Sequence, residues 1–259
     1  GFVEKVVVIT GASSGIGAAL ALCLAEKRTS LVLAARNESA LNNVAELAEH
    51  RGSPRAVAVR ADVTLRKDVE RIFEVALQHF ARIDVWINNA GRGITRSVLD
   101  LTDDDFDAMM AVNVKSALYG TQTVVPYFQQ QGRGHLINVS SILGRVPFTP
   151  ARSAYSAAKS ALASLTANLR MELRRTNPSI HVSLVLPGRV ATPFAANALN
   201  APPGFSTSHL PGPQTADAVA AMIADLIAHP VAELTTNPDQ RDLAVRYYTN
   251  VAAFEAESD

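Results

Sequence analysis

Short runs of Val, Ile and Leu recur along the chain, and between them lie longer segments in which apolar side chains return every three or four positions. The first pattern fits strands buried on both faces, and the second fits helices with one apolar stripe. The runs Lys5–Thr10, Leu31–Ala35, Ala56–Arg60, Ile83–Asn88, His135–Ser140, Ile180–Leu186 and a fainter Ala232–Thr235 predict about seven strands. Helical stripes stand between them, such as Val69, Ile72, Phe73, Ala76, Leu77 and Phe80, or Val219, Met222, Ile223, Leu226 and Ile227. Strict alternation of the two patterns predicts an α/β fold: one doubly wound parallel sheet with helices on both faces, a single domain over residues 1–259.

Two helices are long, one from about Ala111 to Gln131 and one from about Ser153 to Arg175, the second ended by Asn177-Pro178. Thr102 followed by Asp103, Asp104 and Asp105 reads as a solvated helix cap. From 193 to 214 both periods fail. Pro202, Pro203, Gly204, Pro211, Gly212 and Pro213 interleave there with Phe194, Phe205 and Leu210, which predicts an irregular loop serving as a lid or binding loop. Beyond Asn237-Pro238, residues 240–257 carry Leu243, Val245, Tyr247, Tyr248, Val251 and Phe254 in the spacing of an amphipathic C-terminal helix.

Composition narrows the classes of function. Of 259 residues 48% are hydrophobic, enough for a large core, and 24 basic side chains cancel 24 acidic ones. Such a balance supplies no field for nucleic acid or an anionic membrane surface, so a small-molecule partner is expected. The most apolar stretch, Ala216 to Ala232, is interrupted by Asp217, Asp225 and Pro230, too soon for a membrane span. The sole cysteine, Cys23, excludes an intrachain disulfide framework, and the strand-like run Val6–Ile9 begins too early for a cleaved leader. A cytoplasmic protein is the expectation. The histidines at 50, 79, 135, 181, 209 and 229 show no ligand spacing, so no metal is expected.

Candidate chemistry starts at Tyr155 and Lys159. Four residues is about one helical turn, which stacks phenol and ammonium side by side. A phenol titrates near pH ~10, and an adjacent cation favours its ionised form, so Tyr155 can give or take a proton. A Tyr and a Lys four apart also recur by chance, and the pair needs support from the rest of the chain. That support comes from Thr10-Gly11-Ala12-Ser13-Ser14-Gly15-Ile16-Gly17, which follows the first strand and opens a helix, the context in which glycines let backbone N–H groups approach a pyrophosphate.

The Thr-Gly-x-x-x-Gly-x-Gly spacing in that place resembles the cofactor motif of the short-chain dehydrogenase/reductase family, and further motifs agree in order from Lys5 to Thr192. Asp62-Val63 resembles the adenine-contacting acid, and Asn88-Asn89-Ala90-Gly91 resembles the Asn-Asn-Ala-Gly signature after strand four. Asn113 falls where the family has a helix-breaking asparagine. Ser140-Ser141, Tyr155, Lys159 and Pro187-Gly188-x-x-x-Thr192 follow. The resemblance implies a Rossmann-like fold and a catalytic set of Asn113, Ser141, Tyr155 and Lys159; family spacing selects Ser141 over Ser140. It further implies a cofactor site made of Gly11, Ser13, Ser14, Gly15, Ile16, Gly17, Arg36, Asp62, Val63, Asn89, Ala90, Gly91, Tyr155, Lys159, Pro187, Gly188, Val190 and Thr192. By the same resemblance Lys159 holds the nicotinamide ribose as well as lowering the tyrosine's pKa, and Asn113 anchors a proton-relaying water.

Cofactor choice turns on the end of the second strand, Ala34-Ala35-Arg36-Asn37. An acid there would bind the free ribose hydroxyl of NAD, whereas Arg36 offers a guanidinium to the 2′-phosphate of NADP. NADP(H) is therefore favoured, with Glu38 close enough to keep NAD(H) open. The expected activity is interconversion of a ketone or aldehyde with an alcohol by NADP(H). The alternatives are an NAD-dependent alcohol or sugar dehydrogenase and a catalytically silent nucleotide-binding sensor. Phe194, Leu199, Phe205, Leu210, Val146 and Phe148 suggest an apolar substrate pocket, while Arg92, Arg145, Arg152 and Arg189 flank the motifs. The Gly-rich tail on which many relatives build tetramers is missing, so a homodimer paired through the two long helices is expected.

Overall fold

The computed structural model describes residues 5–200 and 212–257. Its first strand, β1 (Val6–Thr10), is buried at every position, as a strand covered on both faces must be. Successive side chains point to opposite faces, and this splits the core in two. Val7 and Ile9 join Leu31 and Leu33 of β2 (Ser30–Ala35) under α1 (Gly15–Ala25), α2 (Glu38–His50) and α7 (Ala216–Ala228). Val8 and Val32 face the other way, onto α3 (Arg66–Phe80) and α5 (Ser116–Gln131), with Trp86 and Phe128 completely buried between.

The remaining strands are β3 (Ala56–Arg60), β4 (Val85–Asn88), β5 (Gly134–Val139), β6 (Ile180–Leu186) and β9 (Glu233–Thr235), with a short separate pair β7 (Val190–Ala191) and β8 (Gln214–Thr215). One seven-stranded parallel sheet runs in the order β3-β2-β1-β4-β5-β6-β9. The order reverses between β1 and β4, so the chain leaves those two strands toward opposite sides and opens a crevice at their carboxyl ends. The expected fold and its seven-stranded sheet are both present.

Three local expectations are corrected. The helix expected from Ala111 begins sooner, as α4 (Asp103–Met110), and continues into α5 through a widened turn of π geometry at Ala111–Lys115. The acidic cap of α4 is not merely solvated. Thr102 and Asp105 form a reciprocal capping box, and the Asp105 carboxylate, 8% exposed, also pairs with Arg96 Nε at 2.7 Å and accepts from Asn200 Nδ2 at 3.0 Å. The C-terminal helix expected over 240–257 is broken into a 3₁₀ turn (Pro238–Gln240), α8 (Leu243–Thr249) and α9 (Val251–Ala256). Asn250 adopts an extended conformation there, and its side chain caps the new helix by accepting from Ala253 N at 3.1 Å.

Of the loop expected over 193–214, the first part is laid against the segment after β4, with Ile94 and Leu199 bridged in parallel. Its end enters β8. Pro202, Pro203, Gly204, Phe205, Leu210 and Pro211 lie outside the described residues. No helix among the described residues is long and apolar enough to cross a membrane. The helix α6 (Ser153–Thr176) closely matches its expected span and carries Tyr155 and Lys159 beside β6 and the 3₁₀ turn at Ile142–Gly144 that follows β5.

Candidate active site

At the crevice between β1 and β4 the two loops are stitched by side chains to main chain. Thr10 Oγ1 accepts from both Asn89 N and Ala90 N at 3.1 Å, while Asn89 Nδ2 donates to the carbonyls of Thr10 at 2.9 Å and Gly11 at 3.3 Å. Glycine is required twice here. Gly11 has φ +67° with Ala90 Cα only 2.8 Å from where a Cβ would stand, and a Cβ on Gly17 would fall 2.3 Å from the Gly11 carbonyl oxygen. The first turn of α1 is thereby pressed against the loop and presents its unpaired N–H groups to the crevice. Thr192 closes over this cradle, its Cγ2 lying 3.2 Å from a Cβ position on Gly15.

The crevice continues into one cleft of about 1020 Å³, at the upper edge of the roughly 300–1,000 Å³ of ordinary small-molecule sites. Ser13, Ser14, Gly15, Ile16 and Gly11 line its cradle; Arg36, Asp62 and Val63 line one end. Asn89, Ala90, Gly91, Pro187, Gly188, Val190 and Thr192 follow, and Ser141, Tyr155 and Lys159 line the other end. Two of the expected catalytic and cofactor-binding residues do not line it: Gly17, packed behind the loop, and Asn113, buried behind Gly91. The volume of the cleft, its glycine cradle and the arginines at its ends fit a dinucleotide.

Arg36 stands exposed at the end of β2, just before Asn37, which caps α2 by accepting from Ala40 N at 3.1 Å. Asp62 is turned back on its own loop, its Oδ1 accepting from Thr64 N at 3.0 Å and Thr64 Oγ1 at 2.7 Å. Arg36 therefore offers an exposed cation to this end of the cleft.

At the other end, Ser141 closes β5, and its Oγ accepts from Leu143 N at 3.2 Å. Burial pushes the Tyr155 phenol up to about 12, with hydrogen bonding from Ser141 and the charge of Arg152 acting against that rise. Lys159, 3% exposed, is pushed down to about 7 by burial; its Nζ donates to the Val139 carbonyl at 2.9 Å and lies 5.7 Å from the centre of the Tyr155 ring. The expected side-by-side stack of ammonium and phenol is thus looser than helical spacing suggested, because the lysine reaches past the ring to the end of β5.

Asn113 sits in the π turn, where its Nδ2 donates to the carbonyls of Arg92 at 2.9 Å and Met109 at 3.1 Å and its Oδ1 accepts from Arg92 N at 3.2 Å. A Cβ on Gly91 would meet Asn113 Oδ1 at 2.8 Å and Lys159 Nζ at 3.3 Å, so the two side chains converge under that glycine.

The substrate-side walls differ from expectation. Phe148 and Phe194 line the cleft, but Val146 is fully buried away from it and Leu199 packs beneath. Phe205 and Leu210 lie outside the described residues. Arg92, Arg152 and Arg189 line the cleft, whereas Arg145 is paired with Glu233. Sequence reasoning missed the buried polar chain behind the site: Trp86 Nε1 donates to Asn88, Asn88 to Asn138 and Asn138 to Thr166, at 2.8, 2.8 and 2.9 Å. An asparagine at position 138, directly after the apolar pair Leu136-Ile137 and before Val139, was the available signal, since a polar group buried there must find a partner. Among the described residues no group of three or more His, Cys, Asp or Glu is placed to hold a metal.

The profile of the short chain dehydrogenase family matches residues 5–202. The chain is 39% identical over 191 residues to an uncharacterized oxidoreductase of Staphylococcus epidermidis, covering 74% of this chain and 80% of that protein. A short-chain dehydrogenase/reductase from Burkholderia phymatum in complex with NAD superposes with a TM-score of 0.88 at 27% identity, covering 97% of this chain and 95% of that one. A short-chain dehydrogenase from Sphingobium yanoikuyae in complex with NADPH gives 0.81 at 28% identity, covering 98% and 96%. The chain belongs to the short-chain dehydrogenase/reductase family. It is an NAD(P)-dependent oxidoreductase of the CH–OH/C=O group.

Proposed function

We propose that the chain is an NADP(H)-dependent carbonyl reductase or alcohol dehydrogenase in which Tyr155 is the general acid and base. The observation that carries the reaction is the meeting of Tyr155 and Ser141 at one end of the dinucleotide-sized cleft, with Lys159 behind them. A bound nicotinamide supplies or accepts the hydride. Tyr155 Oη gives its proton to the substrate oxygen in reduction and takes it back in oxidation. Ser141 Oγ donates a hydrogen bond to the same oxygen as charge gathers on it. Lys159 holds the nicotinamide ribose, and Asn113, converging with it under Gly91, anchors a water that passes protons to it. Asn89, Ala90, Gly91, Gly188 and Thr192 shape the wall around the reacting ring, and aromatic Phe148 and Phe194 hold water back from it.

The preference for NADP(H) rests on Arg36. Its guanidinium stands exposed at this end of the cleft, which Glu38 does not line and where Asp62 Oδ1 accepts from Thr64, so a 2′-phosphate meets a cation there. Dissociation constants for NADPH and NADH, with turnover of a broad ketone, aldehyde and alcohol panel, test both parts. NADPH should bind at least about tenfold more tightly, a difference of about 1.4 kcal/mol, and Arg36→Asp should erase it. Equal affinities would overturn the cofactor assignment and favour the NAD-dependent alternative; no turnover with either cofactor would favour a silent nucleotide sensor. Pairing of α5 and α6 with a second copy is proposed as the mode of dimerisation, supported by the exposed Leu165 and Met171 on α6.

A further inference from the structure

Arg152 precedes Tyr155 by three residues at the start of α6, so both side chains leave the helix within one turn and on one side. Its position is fixed from the neighbouring loop. Nη1 donates to the carbonyl of the fully buried Ile94 at 3.0 Å, while Arg96 N donates to the Ala151 carbonyl at 2.8 Å and Ser153 Oγ to the Arg96 carbonyl at 2.7 Å. Gly93 leaves room for the cluster: a Cβ there would meet Phe194 Cε1 at 2.9 Å and Arg152 Nη1 at 3.0 Å. Phe194 in turn meets the Tyr155 ring edge-on, with centroids 5.5 Å apart. Guanidinium, Phe194 ring and phenol therefore pack as one unit in the cleft wall.

We propose that Arg152 is a positioning residue for the proton transfer, its clamped guanidinium stabilising the phenolate form of Tyr155. The proposal rests on Tyr155 being the acid and base of the reaction proposed above. The groups that face Tyr155 are Ser141 from the end of β5, Lys159 from α6 and Arg152 from the start of α6. Arg92 and Arg189 line the same cleft, and its only carboxylate among the described residues is Asp62, at the end where Arg36 stands. Burial raises the phenol, and Arg152 is the charge that acts against that rise; reciprocally, Tyr155 acts against the effect of burial on Arg152. Lys159, held near 7 by burial, carries only part of a charge at neutral pH, whereas a guanidinium stays charged throughout.

Two variants separate charge from clamp. Arg152→Gln keeps a donor for the Ile94 carbonyl and removes the charge; Arg152→Lys keeps the charge and weakens the clamp. The measurement is kcat/KM against pH for oxidation, using the full chain, NADP and an alcohol from the turnover panel. Oxidation needs the phenolate, so its rising limb should move to higher pH by about one unit in Arg152→Gln and stay nearly in place in Arg152→Lys. An unmoved limb in Arg152→Gln would overturn the proposal, as would a KM increase confined to acidic substrates, which would make Arg152 a substrate contact. The Cζ chemical shift of labelled tyrosine, assigned with Tyr155→Phe, gives the same comparison without turnover. A phenol that titrates alike in wild type and Arg152→Gln would overturn the proposal even if the reductase reading itself had failed.

Discussion

The two ends of the cleft are held by different kinds of bond. Around Gly11, Gly15 and Gly17 the shape is set by main chain pressed on main chain, with Thr10 and Asn89 clasping backbone groups on both sides. Around Tyr155 it is set by side chains gathered from separate segments: Arg152 on the Ile94 carbonyl, Arg92 Nε on the Asn197 carbonyl at 3.0 Å, and Asp105 between Arg96 and Asn200. A main-chain cradle has little freedom to vary, because any side chain at Gly17 collides with backbone. A wall of side chains can be rebuilt one residue at a time. The first end suits a cofactor of fixed shape and the second a substrate that differs from one enzyme to another.

The largest test of this division is Tyr155→Phe. Only a hydroxyl is lost, and the Phe194 contact and the fold remain. Turnover should fall by roughly 10²–10⁴-fold, the span of general acid–base catalysis, with the dissociation constant for NADPH unchanged by calorimetry. Retained turnover would remove Tyr155 from the reaction. Loss of cofactor affinity in the same variant would mean that the two ends act as one unit.

Gly17→Ala strikes the cradle instead. Its new methyl would stand 2.3 Å from the Gly11 oxygen and 2.7 Å from Asn89 Nδ2, so the start of α1 must move away from the loop. Affinity for NADPH should fall by at least about tenfold, a loss of about 1.4 kcal/mol, while kcat at saturating cofactor falls much less. An unchanged dissociation constant would show that the cradle yields easily.

The same division explains what was legible in the sequence. Strands buried on both faces announce themselves as unbroken apolar runs, and glycines forced by close backbone approach stand at fixed intervals, so the sheet and the residues from Gly11 to Gly17 could be read directly. Boundaries slipped where side chains intervened. Ile83 and Asp84 were expected in β4, but the Asp84 carboxylate accepts from Val6 N at 2.8 Å and pairs with Arg82, so the strand starts at Val85. Asp105 looked like a surface cap because nothing local connects it to Arg96 or to Asn200, 95 positions away. Arg152 could be noted as a nearby cation, but its clamp to Ile94 depends on how two distant loops meet. Periodicity reports which face a residue takes, and it is silent about partners joined only by tertiary folding.

The smallest effect belongs to Asn200, and it tests the comparison most finely. Asn200 adopts φ +58°, a left-handed conformation that Asn tolerates better than most residues, and its Nδ2 donates to the buried Asp105 carboxylate. Leu199 beside it accepts from Thr95 N at 2.9 Å and donates to Gly93 O at 2.8 Å, so Asn200 fastens the end of the segment that carries Phe194. Asn200→Ala removes the hydrogen bond and leaves a residue less suited to that φ, whereas Asn200→Gly removes only the hydrogen bond. Loss of one such bond at about 1 kcal/mol corresponds to roughly a fivefold rise in substrate KM, with Asn200→Gly falling at or below Asn200→Ala. The dissociation constant for NADPH should not move, because no bond of this latch touches the glycine cradle. A parallel rise in both constants would show that tension in the substrate wall reaches Thr192 and the cradle beneath it, and that the two ends are mechanically one.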